Sequence, residues 1–355
     1  MISISLCMIV KNEEDVLYRC LNSVKDIVDE IVIVDTGSTD KTKEIAYKFT
    51  KKVYDFKWID DFSAARNYSF SKATKEFILW LDADDVILNE DRDNFILLKN
   101  SLTTSTDMVK MKYNTAFDEE GNPTLSFYRE RLIKRKLNLK WLGAVHECIP
   151  PFGNILTSDI AISHKKLKIS DPQRNLKIYD SLVKRNITLS PRDQFYYARE
   201  LYYHKRFAEA INLLNKFLDS NKGWFEDCID ACKILSYCYY EINEPDKALN
   251  SLFNSFKYTI PRGEICCDIG QHFLDRNRYN EAIFWYTTAS NLSIPASEGF
   301  ITIDCYGYIP LMQLCVCYFR IGDIENSKKY NELAGKIKPN DSAYLFNKEF
   351  FKNYK

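Results

Sequence analysis

The sequence has no net charge, no long apolar run and no regular cysteine spacing, and each absence excludes a class of protein. Lysine plus arginine and aspartate plus glutamate each number 49, so no global positive field is available to attract nucleic acid or an anionic membrane. No apolar stretch approaches the ~20 residues of a membrane-spanning helix. The first residues lack the basic start and cleavage site of a signal peptide and predict a strand instead.

The cysteines also exclude two kinds of site. None of the eleven forms a Cys-x-x-Cys pair, and eight lie from Cys228 onward within helical patterns. This distribution predicts buried free thiols in a reducing cytoplasm rather than zinc ligands or a disulfide framework. Cys7, in a predicted strand, and Cys148, beside a candidate site, receive the same interpretation.

Length and composition indicate two globular domains. The chain has 355 residues, of which 46% are apolar and 28% charged, as in ordinary soluble proteins. Strand-like and helix-like segments alternate in the first half, whereas the sequence after Asp171-Pro172 is helical throughout. We therefore predict an α/β domain over residues 1–170, a linker helix within 171–190 and a helical domain over 191–355.

The first half predicts a mostly parallel sheet with helices on both faces. Its apolar strands alternate with helices, and parallel strands need such crossover helices, which cover the sheet. The predicted strands are Ile2–Val10, Glu30–Val34, Val53–Asp55 and Phe77–Leu81. Ligands of such sheets bind beyond the carboxyl ends of the strands.

The exit of the fourth strand is a candidate metal site. Residues 77–85 read FILWLDADD, so five large apolar residues run into three aspartates. In an extended chain Asp82 and Asp84 would point the same way, because side chains alternate. Two convergent carboxylates suit a hard divalent cation and leave positions for phosphate and water. The alternative is that these acids belong to a turn and cap the helix that begins near Asn89.

Two further polar residues suit a nucleotide. Asp35 ends the second strand, and its carboxylate accepts hydrogen bonds from a nucleobase N–H or from ribose hydroxyls. Arg66, in WIDDFSAARN, suits a diphosphate or a carboxylate at a strand end. A turn residue and a surface salt bridge are the respective alternatives. The sequence contains neither a GK[ST] phosphate loop nor a GxGxxG fingerprint.

Four motifs together resemble the nucleotide-binding half of family 2 glycosyltransferases. They read CMIVKNEE, VIVDTGSTD, DDFSAARN and ILWLDADD, in this order. The match is closest to a bacterial subgroup with helical repeats after the catalytic domain, and it makes residues 1–170 that domain. It implies a nucleotide-diphospho-sugar transferase fold, a UDP-sugar donor, Mn²⁺ or Mg²⁺, and inverting transfer of a hexosyl or N-acetylhexosaminyl group. Asp85 stands where the family often has glutamate.

The resemblance also implies roles for single residues. Asp35 would contact the base, and Arg66 would lie near the nucleotide. The expected nucleotide-sugar contacts are Lys11, Asn12, Glu13, Asp35, Arg66, Asn67, Asp82, Ala83 and Trp141. The expected metal ligands are Asp82, Asp84 and His164, the last of which closes an apolar alternation in DIAISHKK.

The stretch LKWLGAVHECI is the candidate acceptor side. Direct displacement at an anomeric carbon needs a base on the face opposite the departing diphosphate. By resemblance Glu147 is that base and His146 is the second choice, whereas Trp141 would stack on a sugar face. The alternative is that His146 and Glu147 are ordinary polar residues that close a strand.

The second half contains a repeat that predicts helix pairs. RFAEAI, EPDKAL, RYNEAI and GDIENS recur, and their small residues are 38, 34 and 45 positions apart: Ala210, Ala248, Ala282 and Ser327. Tetratricopeptide repeats have a period of ~34 residues and small residues where paired helices cross. Four such pairs bury a shared core. They also offer a surface for a peptide or protein, or a homodimer contact.

These features favour a metal-dependent glycosyltransferase that acts on a peptide or protein side chain. A cell-surface polysaccharide or a lipid-linked glycan is the alternative acceptor. A nucleotidyltransferase would share the fold and the metal, but it normally has a glycine-rich basic loop where this chain has KNEE. A non-catalytic repeat scaffold would have no need of the carboxylates, which are intact.

Overall fold

The protein divides into two compact units. The computed structural model describes residues 1–103, 105–118, 121, 123–167, 171–295, 299 and 301–354. The first unit is Met1–Leu189 and the second is Ser190–Lys355. The first contains both strands and helices, and the described residues of the second contain helices and no strand.

The first unit is built on one sheet. Its strands are β1 Ile4–Val10, β2 Glu30–Asp35, β3 Val53–Asp55, β4 Phe77–Trp80, β5 Asp85–Val86, β6 Met108–Phe117, β7 Pro123–Lys134 and β8 Ile155–His164. Within the described residues their order is β3-β2-β1-β4-β7-β6-β8-β5. The neighbours β3, β2, β1 and β4 are parallel, as are β6 and β8, and the other pairs are antiparallel.

Helices cover both faces of this sheet, as the sequence predicts. The described helices of the first unit are α1 Leu17–Val24, α2 Thr42–Tyr47, α3 Phe62–Lys72, α4 Asn89–Ser101 and α5 Arg174–Lys184. Alternate residues of β1 belong to different cores: Leu6 packs in one with Leu21 of α1, and Cys7 packs in the other with Phe70 of α3. Every residue of β2 and of β4 is buried. These strands are enclosed on both faces of the sheet, which explains why their sequences are mostly apolar. The α/β prediction is confirmed.

The chain turns after β4 instead of staying extended. The strand ends at Trp80, and the backbone N–H of Asp85 donates to the carbonyl of Asp82 at 3.1 Å. Residues 82–85 therefore form a turn that leads into β5. The alternation argument for Asp82 and Asp84 does not apply to a turn, so the two side chains have separate surroundings.

The second unit consists of consecutive helices that pack against one another. They are α6 Pro191–Tyr203, α7 Phe207–Asp219, α8 Phe225–Glu241, α9 Pro245–Asn254, α10 Gly263–Leu274, α11 Tyr279–Asn291, α12 Tyr308–Arg320, α13 Ile324–Ile337 and α14 Ser342–Asn353. The small repeat residues lie on α7, α9, α11 and α13, and each is 0% exposed: Ala210, Ala248, Ala282 and Ser327. The predicted helix pairs are confirmed.

The thiols and the helix lengths also agree with the sequence. No cysteine of the described chain forms a disulfide, and each except Cys148 is buried. Among the described residues, no helix combines the length and apolar character needed to cross a bilayer.

Candidate active site

A buried ion pair anchors the turn after β4. Asp85 and Arg131 are both 0% exposed, and Arg131 Nη1 lies 3.1 Å from Asp85 Oδ2 and 3.2 Å from the carbonyl oxygen of Trp80. The same carboxylate accepts the backbone N–H of Asp82 at 3.0 Å and the Tyr113 hydroxyl at 3.1 Å. A buried carboxylate needs a compensating charge and hydrogen bonds, and these contacts supply both. They hold Asp85 in one orientation.

Strand pairing brings His164 to the same carboxylate. β5 pairs antiparallel with β8, which places Asp85 opposite His164. Nδ1 of His164 lies 3.2 Å from Asp85 Oδ1, 3.3 Å from Asp84 Oδ1 and 2.8 Å from the Tyr113 hydroxyl. The hydrogen bond with Asp85 outweighs burial and raises the pKa of His164. Nε2 has no hydrogen-bond partner in the described part of the chain, so it is the nitrogen left for a ligand.

Asp84, Asp85 and His164 together suit a divalent cation. One ligand atom of each lies within 4.8 Å of the others. The side chains of Asp84 and His164 are 20% and 24% exposed, whereas Asp85 is enclosed. A ligating histidine usually bonds a carboxylate through its other nitrogen. The group therefore fits Mn²⁺ or Mg²⁺ held by Asp84 and His164, with Asp85 orienting the imidazole.

Arg66 joins Asp82 to Glu147. Its Nη2 donates to Asp82 Oδ1 at 2.7 Å, and its Nε donates to Glu147 Oε1 at 2.6 Å. Burial alone would raise the pKa of Asp82, but the charges of Arg66 and Arg131 outweigh it and lower that pKa. Asp82 remains 33% exposed, which leaves it accessible beside the turn. Its role as a metal ligand stays a prediction.

Glu147 keeps one oxygen free. Oε1 is bound to Arg66, whereas Oε2 has no hydrogen-bond partner among the described residues. The side chain is 12% exposed. His146 is half-buried next to it, and Ala83 is buried in the turn after β4. Glu147 thus has a fixed position and an oxygen able to accept a proton.

Three arginines lie against the indole ring of Trp80. The distances from Cζ to the ring centroid are 3.8 Å for Arg131, 5.0 Å for Arg66 and 5.3 Å for Arg129. Such cation–π contacts hold a guanidinium in place without using its N–H groups. Arg129 differs from the other two because its guanidinium has no hydrogen bond and no carboxylate partner in the described chain. Burial and the charge of Arg131 lower the pKa of Arg129, so an anion would be favourable there.

Asp35 offers a second unpaired oxygen. The residue is 2% exposed at the end of β2, and its Oδ1 accepts the backbone N–H groups of Gly37 and Ser38, both at 2.9 Å. Gly37 has a φ of +108°, which favours glycine at this turn. Oδ2 is buried without a partner among the described residues. A buried acceptor without a donor is costly, so this oxygen marks a place where a ligand N–H or hydroxyl is favoured.

The residues after β1 tie two loops together. Asn12 has a φ of +56°, and its Oδ1 accepts the backbone N–H of Thr39 at 2.8 Å. The backbone N–H of Glu13 donates to Thr42 Oγ1 at 2.7 Å. These contacts position the loop after β2. Lys11, which precedes Asn12, is exposed.

The structure gives Asn67 and Trp141 contacts other than those expected of them. The carboxamide of Asn67 donates to the carbonyl of Trp141 at 3.0 Å and accepts its backbone N–H at 2.9 Å. Asn67 therefore holds the loop that carries Glu147, with one N–H and one lone pair of its carboxamide. Trp141 is 2% exposed, and its ring packs edge-on against Phe70 and Trp80. Its ring is part of the core and presents no face to a sugar.

Sequence reasoning did not select Tyr113, Arg129 or Arg131. All three lie on β6 and β7, which had no part in the predicted site. One signal was present: Arg129 and Arg131 are two positions apart in a strand, which places both side chains on the same face. Two arginines on one face, in a segment next to the aspartates, indicate a need for positive charge.

Replacing Arg131 by methionine should destabilise the protein by about 3–5 kcal/mol, because it leaves the Asp85 carboxylate buried without its partner. The double variant Asp85→Asn, Arg131→Met should recover part of that loss, since no uncompensated charge remains. Urea unfolding followed by circular dichroism measures both. The exposed Arg135→Met is the control and should change stability by less than about 1 kcal/mol. Equal losses in Arg131→Met and Arg135→Met would contradict the anchoring role.

Comparison with known proteins gives a family match within the first unit and several similar proteins. Residues 5–158 match the family described as Glycosyl transferase family 2. The SPbeta prophage-derived glycosyltransferase SunS of Bacillus subtilis is 30% identical over 251 residues, which cover 66% of this chain and 58% of SunS. A TPR repeat-containing protein of Synechococcus elongatus is 51% identical over 90 residues, which cover 25% of this chain and 22% of that protein.

The chain thus covers 58% of the length of SunS and 22% of the length of the Synechococcus protein. Among solved structures, S. aureus TarS aligns with 69% of this chain and 54% of its own, with a TM-score of 0.42 and 16% identity. Within the first unit, residues 5–158 thus match glycosyl transferase family 2, and a unit of helix pairs resembling tetratricopeptide repeats follows.

Proposed function

We propose that this chain is a metal-dependent inverting glycosyltransferase that moves a sugar from a UDP-sugar to a peptide or protein side chain. The observation that carries the proposal is the bridge through Arg66, which holds Glu147 and Asp82 together. Asp82 begins the turn that also carries Asp84 and Asp85, so a base and a cation site are neighbours. Direct displacement needs the base, and a cation stabilises the charge of the departing diphosphate.

The protein offers a complementary group for each part of the donor. Asp35 Oδ2, buried and unpaired, suits the N–H of uracil. The guanidinium of Arg129, which has no carboxylate partner, suits the diphosphate. Bound at Asp84 and His164, Mn²⁺ or Mg²⁺ would neutralise charge that develops on the diphosphate as the sugar departs.

Glu147 is the proposed base. Arg66 fixes Oε1, so Oε2 is the oxygen that accepts the proton of an acceptor hydroxyl or thiol. The deprotonated acceptor then attacks the anomeric carbon from the face opposite the diphosphate, which inverts the configuration. Arg66 also keeps the carboxylate from rotating away, and Asn67 holds the loop behind it.

The acceptor proposal is supported by the helical unit, because stacked helix pairs commonly provide binding surfaces for peptides. A polysaccharide or lipid-linked glycan remains the alternative, and mass spectrometry of the products distinguishes the two. Release of pyrophosphate instead of UDP would indicate nucleotidyl transfer. The unpaired cysteines support a cytoplasmic location.

Turnover of a UDP-sugar should require a divalent cation. EDTA should abolish UDP release, and added Mn²⁺ or Mg²⁺ should restore it. Asp84→Asn should weaken Mn²⁺ binding, as measured by calorimetry. The loss should exceed the ~10–100-fold that is typical when a group that only hydrogen-bonds a metal ligand is removed. Binding should strengthen as pH rises through the raised pKa of His164, because a proton competes with the cation.

Asp93→Asn, on the exposed side of α4, is the matched control and should bind Mn²⁺ normally. Full turnover in EDTA would refute the cation requirement. Normal Mn²⁺ binding by Asp84→Asn would refute the assigned ligand.

Glu147→Gln should lower kcat by about 10²–10⁴-fold, because the amide cannot accept the proton, while UDP-sugar affinity stays unchanged. The substitution preserves the hydrogen bond from Arg66 and therefore the geometry. Steady-state kinetics and calorimetry give the two values. His146→Gln tests the second choice of base, and a larger loss there than in Glu147→Gln would reverse the assignment.

Arg129→Gln should weaken UDP binding by roughly tenfold or more, the size of a charge-assisted hydrogen bond. Uridine has no diphosphate, so its affinity should stay the same. Calorimetry with both ligands in the presence of Mn²⁺ makes the comparison, and Arg135→Gln is the exposed control. An equal loss for uridine would mean that Arg129 supports the fold rather than the diphosphate.

A further inference from the structure

The helical unit contains a cleft that the proposed transfer does not use. It has a volume of about 470 Å³ and is lined by the second half of α7, the middle of α8, and α9 with the turn after it. Cys232 and Leu235 of α8 are buried at its base. The rest of the lining is mainly polar: Asn215, Asn221, Asn250, Asn254, Lys247 and Lys257.

Several of these polar groups have no partner within the protein. The carboxamides of Asn250 and Asn254 and the ammonium of Lys257 make no hydrogen bond or ion pair in the described chain. Asn215 makes one long hydrogen bond, 3.5 Å to the Tyr239 hydroxyl. A carboxamide both donates and accepts, so it matches the N–H and C=O of a peptide group. The lining therefore complements a polypeptide backbone.

The spacing of the asparagines fits an extended chain. Asn250 and Asn254 are four residues apart on α9, which is ~6 Å along a helix axis. Alternate residues of an extended chain are ~6.6 Å apart. Two carboxamides on one helix can therefore bond successive peptide groups that face the same way.

The lysines set the length and the charge of the ligand. Lys247 lies in the first turn of α9 and Lys257 follows its end, ten residues later, which is about 15 Å. An extended chain covers that distance in four to five residues. Lys257 has no carboxylate partner among the described residues, and Asp219 is the one acid in the lining. Lys247 lies 3.3 Å from Glu244 at the surface and 5.9 Å from the ring centroid of Tyr239.

We propose that this cleft binds an extended, acidic segment of polypeptide, with two carboxylates four residues apart that meet Lys247 and Lys257. The asparagines between the lysines hold the backbone. The site lies wholly within the second unit, and binding requires neither the cation nor the UDP-sugar. It therefore goes beyond the proposed transfer and holds whether or not the bound segment is the acceptor.

The test uses the full chain and a fluorescein-labelled, acetylated and amidated pentapeptide with the sequence Glu-Ala-Ser-Ala-Glu. Fluorescence anisotropy should show saturable binding that weakens as salt concentration rises. The same peptide with glutamine at both ends should bind more weakly. Lys247→Gln and Lys257→Gln should each weaken binding by roughly twofold to fivefold, as for exposed ion pairs. Asn250→Ala with Asn254→Ala should weaken both peptides alike.

Lys216→Gln is the control, because this lysine is exposed on α7 but does not line the cleft. All substituted lining residues named here are exposed, so circular dichroism should be unchanged. Equal binding of the acidic and neutral peptides would overturn the proposal. So would unchanged binding by the double lysine variant, no saturable binding of the acidic peptide, or its displacement by a neutral oligosaccharide.

Discussion

The buried contact between Arg131 and Asp85 is the interaction on which the candidate site depends. Within the described residues, β5 has two residues and pairs only with β8 at one end of the sheet, so its backbone hydrogen bonds alone hold it weakly. Arg131 belongs to β7, in the middle of the same sheet. Through one ion pair, the interior of the sheet thus fixes the turn that carries the aspartates. The position of His164 follows, because it faces Asp85 across the β5–β8 pairing.

The two arginines that hold carboxylates perform different tasks because their partners differ in exposure. Arg131 neutralises an acid that solvent does not reach, and the other contacts of Asp85 are also within the protein. Arg66 pairs with Asp82, whose side chain is 33% exposed, and with Glu147. Solvent reaches the Asp82 carboxylate but not that of Asp85. The first pair is therefore enclosed in the sheet, whereas the second holds two accessible groups of the candidate site together.

Local sequence was sufficient for most of the fold and for part of the site. Apolar runs enclosed on both faces identify β2 and β4. The acids that end such runs must lie at the carboxyl ends of the strands, as Asp35 does. Contacts between distant residues could not be read in the same way. The turn at Asp82 depends on Arg131, which is 46 residues from Asp85, and nothing in the local pattern specifies that pairing. The burial of Trp141 likewise depends on Trp80 and Phe70, which lie far away in the chain.

The charge balance of the site explains why a cation and a nucleotide diphosphate would bind together. Asp82, Asp84, Asp85 and Glu147 bring four negative charges, while Arg66, Arg129 and Arg131 bring three positive ones. With a neutral His164 the site has a negative excess, so a diphosphate alone would meet repulsion at close range. A divalent cation reverses the sign of that excess, and the diphosphate then meets both the cation and the unpaired Arg129. Donor binding in such a site is coupled to the cation through electrostatics, before any chemistry takes place.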